Sequence, residues 1–262
     1  LDYQEFKRQA GELVGIDLNE YKSQQMDRRI HSLMQSWAVQ DYNHYLRLLK
    51  TNPQRYKEFV KKLTINVSEF FRNPERFEEL WRRVLPELLD KNSKIRIWSA
   101  GCSNGAEPYS VALLAQELGV TDRVQIIGTD IDQVVLAKAR EGVYEYNDIK
   151  NLPSHFLGKY FKTQNHRYYL NNDVKSMVEF LSHNLLKDPF LINFDLIICR
   201  NVVIYFKEEA KKVLYHKFFE SLNPGGYLLV GGTEPLLNYR SIGFINSSIS
   251  FYQKPFTNSN TL

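Results

Sequence analysis

The chain has 262 residues, enough for one large domain or two small ones with a buried core, and its apolar and charged fractions are ordinary for a globular protein. A net charge of +4 permits an acidic partner without demanding one, and the six histidines lack ligand spacing, so no metal site is expected. No apolar run approaches the ~20 residues that cross a bilayer; no signal-peptide core is read at the amino terminus, and Cys102 and Cys199 fit buried thiols in a reducing cytoplasm.

Residues 1–66 read as a bundle of four short helices with no strand signal. Phe6, Ala10, Leu13 and Val14 keep helical spacing until Gly15. Met26, Ile30, Leu33, Met34 and Trp37 form a second stripe, with Lys22, Arg28 and Arg29 on other faces. Those cations are either a solvated face or a recognition surface, and Arg28 and Arg29 are kept as substrate-binding candidates. Asp41 is placed to cap a third helix carrying Tyr45, Leu46 and Leu49, and Pro53 opens a fourth with Tyr56, Phe59, Val60 and Leu63. The rest, 67–262, reads as an α/β domain with an insertion at about 143–176.

Between the two lies Asn66-Val67-Ser68-Glu69-Phe70-Phe71-Arg72, in which polar side chains alternate with aromatics. This suits either a wall over a pocket or an ordinary joint. Asn73-Pro74 then starts a helix that buries Phe77, Leu80, Trp81 and Val84.

Lys94 to Ala100 read as a strand, Gly101-Cys102-Ser103-Asn104-Gly105 as a tight turn, and Tyr109 to Leu118 as a helix with Pro108 at its first position. Strand, glycine-bearing turn and helix form the first unit of a doubly wound sheet, whose ligands bind beyond the carboxyl ends of the strands. A dinucleotide turn needs a middle glycine for pyrophosphate, but here Ser103 stands in that place and Glu107 would repel phosphate. A carboxylate suits a ligand with an ammonium group, and the ligand inferred is S-adenosylmethionine. The bland alternative is that Gly101 and Gly105 only tighten a βα turn.

Val124 to Asp132 form the second strand; Asp132 caps the next helix, which leaves Asp130 free to meet ribose hydroxyls. From Gly142 to about Lys175 the rhythm breaks into an aromatic-rich insertion. It is expected to hold a helix at Ser154–Phe161 and antiparallel strands near Arg167–Leu170 and Val174–Met177. A strand then leads to Asn184, whose amide suits an adenine edge. Phe194 to Val202 form a central parallel strand ending near Asn201. Glu208–Leu222 form a helix packed through Val213, Leu214, Phe218 and Leu222; Tyr227–Gly231 form a strand, Ile242–Lys254 a closing hairpin, and a disordered tail begins at Thr257.

Four ordered motifs combine: Asn66-x-Ser68-x-Phe70-Phe71-Arg72, Ala100-Gly101-Cys102-Ser103-Asn104-Gly105-x-Glu107-Pro108-Tyr109, Thr129-Asp130-Ile131-Asp132 and Cys199-Arg200-Asn201-Val202-x-Ile204-Tyr205-Phe206. Over nearly the whole chain, this resembles the bacterial chemotaxis protein methyltransferase family, CheR. The resemblance implies a class I methyltransferase-type α/β fold, doubly wound on a mostly parallel sheet, with an N-terminal helical bundle and a small inserted β-subdomain. It implies S-adenosylmethionine-dependent methylation of glutamates on chemoreceptor signalling helices, giving methyl esters and S-adenosylhomocysteine, by a monomer in the cytoplasm recruited to membrane-bound receptors.

Matching positions implicate Asn66, Ser68, Arg72, Glu107, Asp130, Asn184, Leu185, Asn201 and Val202 in holding the cofactor, with Gly101 in the turn. Arg72 and Tyr205 are implied to border the reacting groups. The insertion is implied to dock receptors, although its turn Lys162-Thr163-Gln164-Asn165-His166 is short and lacks glycine, against a receptor-tail mode. Gly231-Gly232-Thr233-Glu234 departs mildly from the family's Gly-x-Ser-Glu. Two rivals remain. A nucleic-acid methyltransferase would carry an Asn/Asp-Pro-Pro-aromatic turn where Asn201-Val202-Val203-Ile204-Tyr205 stands, and the mild basicity argues against a polyanion. A non-catalytic cofactor-sensing scaffold would not need Arg72.

Overall fold

The structure is a computed structural model that describes residues 1–64 and 68–256. The expectations for Asn66 and for the tail from Thr257 lie outside the described residues. The chain divides into two compact units, Leu1–Asn66 with Val203–Val213, and Val67–Val202 with Leu214–Leu262.

The helical unit forms as its caps dictate. Helices α1 (Tyr3–Val14), α2 (Ser23–Ser36), α3 (Tyr42–Thr51) and α4 (Pro53–Leu63) follow one another. Asp2, Asp41 and Asn52 side chains accept the unpaired amides of Glu5, His44 and Gln54, so three of the four starts are fixed by the residue before them. Gly15 ends α1 in the left-handed region. Phe6, Ile30, Tyr45 and Phe59 are fully buried at the centre, with Tyr45 stacked on Phe6 and edge-on to Phe59. The segment Val203–Val213 joins this unit through an antiparallel bridge, in which the Lys22 amide donates to Tyr205 O at 2.9 Å and the Lys207 amide to Glu20 O at 2.8 Å.

The second unit opens with a continuous helical rod: α5 (Pro74–Glu79), a π-helical turn (Leu80–Val84) and α6 (Leu85–Lys91). Then come β1 (Ile95–Ala100), α7 (Ala106–Leu118), β2 (Val124–Asp130) and α8 (Gln133–Glu141). The insertion supplies β3 (Val143–Tyr144), α9 (Tyr146–Ile149), α10 (Ser154–Tyr160), β4 (Phe161–Gln164), β5 (Arg167–Leu170) and α11 (Asn172–Lys175). The main sheet resumes with β6 (Val178–Ser182), β7 (Phe194–Cys199), α12 (Glu208–Ser221), β8 (Leu222–Val230), α13 (Tyr239–Ile242), β9 (Ile245–Asn246) and β10 (Phe251–Gln253).

The seven-stranded sheet has the order β6-β2-β1-β7-β8-β10-β9. All neighbours from β6 to β8 run parallel, and β10 runs antiparallel to both β8 and β9. The chain therefore winds outward from β1 through β2 to β6, then returns to β7 on the other side. The carboxyl ends of β1 and β7 are adjacent at that reversal, where doubly wound sheets open a ligand crevice. β7 is buried along its whole length and β1 everywhere but at Arg96, as a sheet covered on each side requires.

The structure corrects several local expectations. Pro108 is the third residue of α7, not the first; the amides of the whole first turn lack helical partners, so proline fits there too. Val174 lies in α11, and the insertion's third strand is Phe161–Gln164, paired to β5 across Asn165 and His166. Both turn residues have positive φ, 51° and 58°, a backbone that Asn and His adopt more readily than most residues. Val213 is 57 % exposed, because the buried face of α12 runs through Ala210, Leu214 and Phe218. Asn223-Pro224-Gly225-Gly226 lies within β8 as an irregularity in its pairing with β7, so α12 ends directly at the strand.

Candidate active site

The turn after β1 brings two strand ends together. Gly101 has φ 79°, and its amide and that of Cys102 both donate to Thr129 O at 2.8 Å. A Cβ on Gly101 would stand 2.5 Å from Val202 Cγ2, so only glycine lets the turn approach the segment beyond β7. Ser103, at φ 51°, donates its amide to Asp130 Oδ2 at 2.8 Å. The other Asp130 oxygen accepts the Asp132 amide at 3.0 Å. Asp130 is thus engaged rather than free, contrary to expectation: its carboxylate already holds the turn, and burial pushes its pKa up despite those amides. Ser103 Oγ is buried with no hydrogen-bond partner among the described residues.

Glu107, on the first turn of α7, is only 12 % exposed. It accepts from Ser99 Oγ at 2.7 Å and pairs with Arg200 at 3.5 Å. Burial raises its pKa, and the Arg200 and Arg72 guanidinium groups and the Ser99 hydroxyl act in the opposite direction. Arg200 also donates to Arg72 O at 2.8 Å and Asn73 Oδ1 at 2.6 Å, so a single buried cation ties the helix carboxylate to the arm that carries Arg72.

That arm is anchored by its two phenylalanines. Phe70 is fully buried and edge-on to Tyr144 and Phe161; Phe71 stacks on Phe156 with ring centroids 5.3 Å apart. They are core side chains rather than the wall of a pocket. Arg72 itself is half-buried, flanked by Phe71 and Asn73 at φ 51° and 58°. Non-glycine residues in this region cost energy and gather where a site is over-determined by its surroundings. Ser103 and Asn201 have the same backbone sign.

Beyond β7, the Asn201 amide donates to Glu234 Oε2 at 2.5 Å, and the same oxygen accepts the Gly231 amide at 3.0 Å. Asn201 Oδ1 is buried with no hydrogen-bond partner among the described residues. At the neighbouring strand end, the His183 amide donates to Asp130 O at 3.0 Å, and Asn184 Oδ1 accepts the Leu186 amide in a local turn. Leu185 is buried and Ser68 half-buried.

Gly101, Glu107, Asp130, Asn201, Val202 and the Arg72 arm therefore meet in one set of bonds and close contacts at the ends of β1, β2 and β7, with Asn184 and Leu185 following β6. Tyr205, Arg28 and Arg29 lie in the helical unit. There Arg28 is exposed, whereas Arg29 donates to Leu63 O at 3.0 Å and covers the Tyr205 ring at 4.9 Å. Sequence reasoning assigned no role to Arg200 or Glu234. The available signals were an arginine directly after an apolar strand and a glutamate closing Gly231-Gly232-Thr233.

Two buried carboxylates, the orphaned Asn201 Oδ1 and the orphaned Ser103 Oγ fit a ligand with an ammonium end and hydroxyls. Glu107 beside the turn does not fit a diphosphate. A family model described as "CheR methyltransferase, SAM binding domain" matches residues 66–250, and "CheR methyltransferase, all-alpha domain" matches residues 1–64. The chain belongs to the CheR methyltransferase family.

Chemotaxis protein methyltransferase of Listeria monocytogenes is 38 % identical to this chain over 254 residues, covering 97 % of each. Chemotaxis protein methyltransferase 1 of Pseudomonas aeruginosa is 33 % identical, covering 90 % of this chain and 91 % of its own. The Escherichia coli chemotaxis protein methyltransferase is 34 % identical, covering 84 % and 79 %. A solved TehB-like SAM-dependent methyltransferase from Corynebacterium glutamicum is 13 % identical over 68 % of this chain and 94 % of its own, with a TM-score of 0.38. The family and its SAM-binding domain make the chain a chemotaxis protein methyltransferase with S-adenosylmethionine as cofactor, built on a mostly parallel, doubly wound sheet. Among the described residues, no helix is long and apolar enough to cross a membrane.

Proposed function

We propose that this chain methylates glutamate side chains on the cytoplasmic signalling helices of chemoreceptors, giving glutamate methyl esters and S-adenosylhomocysteine. The observation that carries this reading is the Arg200 bridge, which sets the cationic Arg72 arm beside the carboxylate of Glu107. A cation there suits an acidic acceptor, whereas a nucleobase has no need of it.

In this reading Glu107 meets the cofactor's ammonium group, Asp130 its ribose hydroxyls, and Asn184 and Leu185 its adenine. Ser68, Gly101, Asn201 and Val202 complete the contacts, and Asn66 is assigned to the same role. S-adenosylmethionine supplies, when bound, a methyl group activated by a positively charged sulfur. A glutamate carboxyl with a pKa near ~4.3 is already anionic at neutral pH, so no general base is required of the protein. Arg72 then aims the carboxylate. It must hold it loosely, because extra stabilisation of the anion before reaction would slow transfer. On the helical unit, Arg28 and Arg29 are assigned to receptor recognition and Tyr205 to the substrate side. The insertion is assigned to receptor docking, and the working state to a monomer in the cytoplasm recruited to its receptors.

The test is transfer of labelled methyl from cofactor to purified receptor signalling helices, read as base-labile methanol. Wild type should label the helices. Arg72→Ala should lose most of its turnover while keeping its thermal midpoint. Absence of base-labile product with wild type would reject the glutamate reading, and turnover of Arg72→Ala within twofold of wild type would remove Arg72 from it.

A further inference from the structure

One residue of the insertion touches both halves of the site described above, the turn through its side chain and the arm through its main chain. Asp148, in the short helix α9, accepts the Asn104 side-chain amide through Oδ1 at 3.1 Å. Its Oδ2 accepts the Glu145 amide at 2.9 Å, and the Glu145 side chain completes a capping box that fixes α9. Its main-chain carbonyl accepts the Phe70 amide at 2.7 Å, two residues before Arg72. Asn104 lies inside the β1–α7 turn, where its Oδ1 in turn accepts the Ala106 amide at 3.2 Å and its carbonyl accepts the Tyr144 hydroxyl at 3.0 Å. A further ion pair, Lys150 to Glu69 at 2.7 Å, joins the insertion to the arm one residue from Phe70.

The turn and the arm therefore share a brace that belongs to neither. The turn closes between Gly101 and Gly105 with Ser103 held by Asp130, but Asn104 projects away from that carboxylate and finds its partner on the insertion. The arm has left-handed residues at Phe71 and Asn73, a backbone that persists only when surroundings fix it. Arg200 fixes it from the Asn73 side, and Asp148 from the Phe70 side.

We propose that Asp148 is a positioning residue for methyl transfer: it sets the cofactor turn through Asn104 and the Arg72 arm through Phe70, making the insertion part of the cofactor-binding machinery. This rests on the assignment of the turn and of Arg72 to the reaction.

The test is a double-mutant cycle on cofactor affinity, measured by calorimetry with S-adenosylhomocysteine on the full chain. Asp148→Ala should weaken binding about tenfold, the scale of one charge-assisted hydrogen bond. Asn104→Ala should do the same, and the double variant should fall well short of a hundredfold, because the bond between the two residues is lost only once. Turnover at saturating cofactor should fall in Asp148→Ala but not in Asn104→Ala, since only the former loosens α9 against the arm. Lys159→Ala combined with Tyr160→Phe, which together cut the insertion's separate tie to Glu117, should leave affinity unchanged, whereas a merely structural role for the insertion would weaken binding there as well. Additive losses in the double variant, or binding by Asp148→Ala within twofold of wild type, would overturn the proposal. If Asp148→Ala does not fold, Asn104→Ala carries the test alone, and unchanged affinity overturns it. Failure of wild type itself to bind S-adenosylhomocysteine would instead count against the site reading beneath it.

Discussion

Replacing Gly101 by alanine tests whether the β1 turn must press against the segment beyond β7. The added Cβ meets two costs. At φ 79° an alanine occupies the left-handed region, worth roughly 1–2 kcal/mol. It also lies 2.5 Å from Val202 Cγ2, well inside van der Waals contact, and overpacking of this kind costs about 1–3 kcal/mol. The sum is about 2–5 kcal/mol of stability. Chains of this length lose roughly 2–4 °C in Tm per kcal/mol, so the thermal midpoint should fall by at least several degrees. The two costs separate in a cycle with Val202→Ala. That change removes the methyl group in the way and should return the packing part, but it cannot alter φ. Urea unfolding of the four proteins should therefore give a favourable coupling of about 1–3 kcal/mol. Gly101→Ala within 0.5 kcal/mol of wild type would refute the reasoning, and additivity with Val202→Ala would refute the contact (~0.5 kcal/mol is the usual limit of additivity).

Burial raises the pKa of Glu107, so the cofactor-free protein keeps a proton there at a pH where an ordinary glutamate has lost it. A bound ammonium group favours the ionised form and draws the pKa back down. Binding of S-adenosylhomocysteine should then release protons, and affinity should fall as pH drops through the raised pKa toward the ordinary carboxylate value; calorimetry in buffers of different ionisation enthalpy reads both, and Glu107→Gln should diminish the release. No proton release in wild type would move the ammonium away from Glu107. The two arginines of α2 should part company: Arg28→Ala should raise the receptor KM at unchanged stability, whereas Arg29→Ala should also destabilise the helical unit by about 1.5 kcal/mol through its lost bond to Leu63 O, as followed by urea unfolding. Equal stabilities would deny Arg29 that internal role.

What was legible in the sequence was local. Asp41 caps α3 and Asp132 caps α8, each through an amide two or three residues away. The βα turn after β1 and the alternation of strand and helix likewise follow from neighbouring residues, and the order of four short motifs added the family. The Phe70-Phe71 pair shows the limit, because two aromatics before an arginine suit a pocket wall and a buried anchor equally well. Only the insertion folding onto them, with Tyr144, Phe156 and Phe161, decides for the anchor.

The residues that tie the site together became visible only in three dimensions. Arg200 reaches Arg72 O across 128 positions of sequence, and Glu234 reaches Asn201 across 33. Neither pairing has a periodicity to betray it. Arg200 meets Glu107 across the reversal between β1 and β7, and Glu234 meets Asn201 because β7 and β8 are parallel neighbours whose carboxyl ends lie side by side. Asp130 was legible as an acid at a strand end but not as one already engaged, since its partner amide belongs to the turn after a different strand. Local chemistry fixed the elements of this protein; the strand order decided which of their ends would meet.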